Sequence, residues 1–65
     1  MKIIEDIKIK RKELNLNTNE IAEKLHLQET YIKYIESEEF DKFPDKIYLY
    51  GYIVRYLKLL NMKVE

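Results

Sequence analysis

One proline, Pro44, and one glycine, Gly51, punctuate this chain of 65 residues. Hairpins and glycine-rich phosphate loops need more turn-forming residues than that. The chain must therefore be organised by apolar spacing, and the spacing is helical throughout. No strand pattern, repeat or low-complexity tract interrupts it.

Ile3, Ile4, Ile7, Arg11 and Leu14 share one side of a predicted helix over roughly residues 2–14. Lys8, Lys10, Lys12 and Glu13 take the other side. Asn15-Leu16-Asn17 breaks it, and Asn17 with Glu20 three residues on has the form of a capping box. A second helix then runs over roughly 18–25, with Ile21, Ala22 and Leu25 inward. His26-Leu27 is a short turn, with Leu27 as its apolar plug. A third helix covers roughly 28–37, with Tyr31, Ile32 and Ile35 as its buried stripe. Glu38-Glu39 ends it, and Phe40 and Phe43 pin the following loop to the core. Pro44 lacks a backbone N–H and bars a helix from continuing through it. The fourth helix starts at Asp45 or Lys46, and Asn61 can end it in place of glycine. The expected fold is an all-α bundle of four to five helices forming a single domain over 1–65.

Size and composition narrow the function. A chain this short buries only about 60% of its unfolded surface, which leaves its stability marginal. Without cysteine it has no disulfide or thiolate zinc site, and His26 alone cannot hold a metal. The carboxylates Glu36, Glu38, Glu39 and Asp41 lack the glycine and the alternating spacing of a calcium loop. No nucleophile–base pairing, metalloprotease motif or phosphate loop is present, so no catalytic site, cofactor or small-molecule substrate is expected. No apolar run is long enough to span a membrane, and the N-terminus lacks a signal-peptide core. A cytoplasmic location is the expectation.

The second and third helices with their short turn make a helix-turn-helix. Ile21 to Leu27 and Tyr31 to Glu36 resemble the Cro/C1-type motif, departing from it at His26, where glycine is frequent. That resemblance implies a DNA-reading third helix, whose first turn enters the major groove. The candidate contacts are Gln28, Thr30 and Lys33, with Lys8, Lys10, Arg11 and Lys12 available to the phosphates. Charge works against this use. Net charge is zero, and residues 28–46 hold three basic and six acidic groups. Affinity for DNA comes largely from phosphate neutralisation, which an acidic reading head opposes.

The fourth helix offers an alternative. At about 100° per residue, Leu49, Ile53, Leu57 and Leu60 make a core arc, while Ile47, Gly51, Arg55 and Lys58 lie roughly opposite. Tyr48, Tyr52 and Tyr56 form a third stripe between them. The stripe can pack on the first helix with its hydroxyls in water, a half-buried role suited to tyrosine and open above all to Tyr56, which lies nearest the core arc. Tyr48 and Tyr52 lie towards the charged side, and with Arg55 and Lys58 as a rim they have the composition of a protein interface.

Tyr31-Ile32-Lys33-Tyr34-Ile35-Glu36, Phe40-Asp41-Lys42-Phe43-Pro44 and the run from Ile47-Tyr48 through Gly51-Tyr52-Ile53-Val54-Arg55-Tyr56-Leu57-Lys58-Leu59-Leu60 together resemble the cytoplasmic domain of the RodZ family. The resemblance implies a bacterial cell-shape protein whose N-terminal cytoplasmic domain precedes a membrane span. It also implies that the partner is the actin-like filament protein MreB, and that the aromatic contact pair falls on Tyr48 and Tyr52. Leu57 stands where that family has a small alanine, Phe43 where it has leucine, and Asp45-Lys46 where it has glycine-proline. The expectation is a non-enzymatic adaptor binding MreB through Tyr48, Tyr52, Tyr56, Arg55 and Lys58, at the cytoplasmic face of the inner membrane. The alternative is a DNA-binding transcriptional regulator using Gln28, Thr30 and Lys33.

Overall fold

The structure, a computed structural model, describes residues 1–62. Its elements are α1 (Lys2–Glu13), α2 (Thr18–Leu25), α3 (Glu29–Glu36), a 3₁₀ turn (Phe40–Lys42) and α4 (Lys46–Leu59). The fold is all-α, with no strand among the described residues. α3 is the central element: α2 and α1 pack on it, and α4 closes the bundle against α2.

The helix starts follow the sequence. The Asn17 side chain accepts from the Glu20 N–H at 2.8 Å, and the Glu20 carboxylate accepts from the Asn17 N–H at 3.1 Å. This is the expected capping box, and such a cap contributes about 1 kcal/mol. Asp45 caps α4 in a similar way, accepting from the Ile47 N–H at 2.8 Å.

The helix ends are less usual. Each of the four helices closes on a left-handed residue: Asn15 (φ 58°), His26 (φ 58°), Glu38 (φ 59°) and Asn61 (φ 59°). In each case the next residue's N–H reaches back to a carbonyl five positions earlier: Leu16 to Arg11, Leu27 to Ala22, Glu39 to Tyr34 and Met62 to Leu57. This is the Schellman closure, where glycine is the favoured residue because it has no Cβ to clash. His26 and Glu38 adopt that conformation as non-glycine residues. The single glycine, Gly51, sits inside α4 with an ordinary helical φ.

Ile4, Ile7, Ile21, Ala22, Leu25, Ile32, Ile35, Phe43, Leu49, Tyr56, Leu57 and Leu60 form the core. Each fully buried large aliphatic side chain contributes about 1.5–3 kcal/mol. Two expectations need correction. Leu14 is 46% exposed, because α1 ends at Glu13 and the left-handed Asn15 turns Leu16 onto the core in its place. Ile53, expected in the core arc of α4, is only half-buried, and Tyr56 occupies the centre of that arc with no exposed surface.

Candidate functional site

The N-cap at Asp45 sets the phase of α4 and lines up Tyr48 and Tyr52 one turn apart. Their ring centroids lie 6.4 Å from each other. Tyr52 also meets Tyr31 of α3 at 5.8 Å and Phe43 at 6.0 Å. Tyr31 and Phe43 are 5.3 Å apart, and Tyr34 closes the group at 6.3 Å from Tyr31 and 6.2 Å from Phe43. The Lys42 ammonium lies 5.3 Å from the centre of the Tyr34 ring. Five aromatic rings thus run continuously from buried Phe43 out to Tyr48, which is 56% exposed. Offset and edge contacts of this kind add about 0.5–1.5 kcal/mol per pair beyond burial, so the outermost ring is held by the inner ones. Tyr31 and Phe43 were legible as a core and a pinning residue but not as the support of this surface, and Tyr34 was legible as neither; only the docking of α3 against α4 joins them to Tyr48.

The residues expected to meet a partner separate into three situations. Tyr48 is exposed, and Tyr52 is half-buried as the ring beneath it. Lys58 is exposed. Arg55 is exposed as a residue, and its guanidinium donates to the Leu25 carbonyl at the C-terminal end of α2. It ties α4 to α2 as well as edging the surface. Tyr56 must be removed from the contact set, because it is wholly buried and its hydroxyl donates to the Glu36 carboxylate. Burial, and then that bond to Glu36, raises the phenol pKa well above its ordinary value. Glu36 also accepts from Arg11 Nε at 2.8 Å and Nη2 at 2.9 Å. The three side chains join α1, α3 and α4 around one carboxylate.

The same network corrects the expected DNA contacts. The sequence offers Arg11 with the lysines of α1 as a phosphate ligand, yet its side chain is only 12% exposed and Nη1 donates to the Leu16 carbonyl at 2.9 Å. On α3, Thr30 and Lys33 are exposed, as is Gln28 at its N-cap. Glu29 lies among them. The Thr18 hydroxyl donates to it at 2.6 Å, linking the starts of α2 and α3. That bond, with Lys33 3.9 Å away, holds the Glu29 carboxyl below the usual carboxylate range. A negative charge is therefore fixed in the first turn of α3.

The helix pair α2–α3, its turn closed by left-handed His26 and plugged by half-buried Leu27, is matched by a family model described as a helix-turn-helix domain, over residues 6–65. The chain belongs to the helix-turn-helix domain family. No curated protein and no solved structure matches it. The motif's usual glycine at the turn has a direct cause in this member of the family: the position is left-handed, and His26 holds it at φ 58°. No described helix is long and apolar enough to cross a membrane. Among the described residues no group of acidic or histidine side chains could hold a metal ion.

Proposed function

We propose that this helix-turn-helix domain is a non-enzymatic cytoplasmic adaptor that docks a protein partner through the Tyr48–Tyr52 face of α4. The observation that carries this reading is the exposed Tyr48 ring braced by four further aromatic rings. A rigid aromatic anchor gives contact area at low entropic cost, which is what binding hot spots require. Lys58 and the edge of Arg55 supply a basic rim. The partner is the actin-like filament protein MreB, which the RodZ resemblance implies. The domain would then act at the inner face of the bacterial membrane, carried on a longer chain.

Tyr48→Ala tests the anchor, because its ring is exposed and its loss leaves the core intact. A hot-spot loss of about 2 kcal/mol weakens binding to purified MreB by about 30-fold. Helicity should be unchanged. Tyr52→Ala should abolish binding, with some loss of stability because the ring is part of the cluster. Unaltered affinity in Tyr48→Ala refutes the assignment.

One observation favours a second reading, a DNA-binding regulator: Gln28, Thr30 and Lys33 are exposed together on and beside the first turns of α3. A random-sequence duplex titrated in parallel separates the two. Salt-sensitive duplex binding lost in Gln28→Ala and Lys33→Ala, with no affinity for MreB, would move the function to α3.

A further inference from the structure

α4 carries a second apolar strip, exposed at Ile47 and Tyr50 and half-buried at Gly51 and Val54, that neither the core nor Tyr48 uses. Ile47, Tyr50, Gly51 and Val54 recur at i, i+3, i+4 and i+7, which is one face of a helix. Ile47 is 77% exposed and Tyr50 66% exposed. Val54 is not among the side chains packed on the core.

Gly51 is an independent observation. A Cβ built on it meets nothing within 4 Å, and its φ is not positive. Neither backbone conformation nor internal packing calls for glycine there. A glycine inside a helix costs roughly 0.5–1 kcal/mol relative to alanine. A helical glycine that the fold itself does not use makes a shallow saddle, where the backbone of another helix can approach closely.

Charge selects the occupant. Between Lys46 and Leu59 the helix has Lys46, Arg55 and Lys58 and no carboxylate. The strip is bracketed by Lys46 at one end, beside the carboxylate of the Asp45 cap, and by Lys58 at the other. A second copy of α4 crossing antiparallel at Gly51 would bring Lys46 against Lys58, and a parallel copy would bring like against like. Such juxtapositions are disfavoured.

We propose that this face docks an amphipathic helix of a partner protein, acidic at its two ends and apolar along the stripe that crosses Gly51. The strip adjoins the Tyr48 surface and shares Lys58 with it, but its apolar residues are different ones and the proposal does not rest on the Tyr48 reading.

The probe is a synthetic helical peptide of about four turns, with leucines at i, i+3, i+4 and i+7 and glutamates at both ends. A control peptide has lysines in place of the glutamates. Titration into the ¹⁵N-labelled domain at low salt should give saturable shifts centred on the amides of Ile47, Tyr50, Gly51 and Val54, with the glutamate peptide only. Gly51→Gln should weaken binding about tenfold while raising Tm, since glutamine is the better helix former. Opposite signs in binding and stability exclude unfolding as the cause. Tyr50→Ala should also weaken the peptide about tenfold and leave binding through Tyr48 unchanged. Four results would each overturn the proposal. These are no binding up to roughly 1 mM peptide, equal binding of the lysine peptide, or self-association in sedimentation that Gly51→Gln abolishes, which would assign the face to a second copy. The fourth is Tyr50-dependent binding to anionic phospholipid vesicles with the peptide silent, which would assign it to a membrane surface.

Discussion

Tyr56→Phe isolates one hydroxyl at the junction of three helices. Tyr56 has no exposed surface, and its hydroxyl donates to a carboxylate that also accepts twice from Arg11. A hydrogen bond to a charged group contributes about 1.5–3 kcal/mol. Glu36 keeps its two Arg11 bonds in the variant, and the ring is retained, so the cost belongs at the low end, about 1.5 kcal/mol. For a domain of this size 1 kcal/mol moves Tm by about 4–8 °C, so the variant should melt about 6–12 °C lower at pH 7. Thermal and urea melts followed by circular dichroism measure this directly. A second readout comes from alkali. The fold holds the Tyr56 phenol protonated, by burial first and by its bond to Glu36 second. In the unfolded chain a tyrosine loses its proton near pH 10. The folded pKa is the higher one, so this contribution is fully present below about pH 10 and falls as pH rises above it. The slope for one proton is about 1.4 kcal/mol per pH unit. The difference between wild type and Tyr56→Phe should therefore shrink above pH 10. An unchanged Tm, or parallel alkaline curves for the two proteins, would show that the hydroxyl is not held by Glu36.

Two further substitutions probe the helix junctions. Glu38→Gly should raise stability by about 0.5–1 kcal/mol, because the left-handed conformation is costly for a residue with a Cβ. Its exposed pairing with the Met1 ammonium at 2.9 Å contributes little against that gain. The urea midpoint reads the change, and a fall would mean that the pairing outweighs the backbone. Thr18→Ala removes the bond that chiefly lowers the Glu29 pKa, so that pKa should rise towards its ordinary value in a carboxyl NMR titration. Since the folded pKa is depressed, the stability this carboxylate adds is present above its unfolded pKa and is lost as pH falls through the folded one. The variant should lose less stability on acidification, and an unmoved Glu29 titration would refute the Thr18 contact.

Much of the fold is local and was legible as such. The asparagine cap and its glutamate, the apolar spacing of α2, the stop at Pro44 and the asparagine closing α4 act within one or two turns of chain, so residue types at fixed offsets suffice to place them. Leu14 shows where spacing alone falls short. It continues the apolar stripe of α1, but the helix ends one residue before it, and the closing turn brings in Leu16. The candidate surface divides in the same way. Tyr48 was legible from helical phase alone, since nothing in α4 covers that side.

Tyr56 was legible only in part: on a helical wheel it lies nearest the core arc, beside Leu49, but spacing alone left both the core and the surface open to it. Its burial depends on a carboxylate from α3 and a guanidinium from α1, which satisfy its hydroxyl where water otherwise would. Those groups are 20 positions away along the chain for Glu36 and further still for Arg11. Arg11 likewise reads as a surface cation until Glu36 is placed beside it. Local sequence determined where each helix begins, ends and turns its apolar side, because those preferences are set by neighbours three or four residues apart. Tertiary structure decided that Tyr56 and Arg11 leave the surface, because a buried polar group is stable only where distant parts of the chain supply its partner.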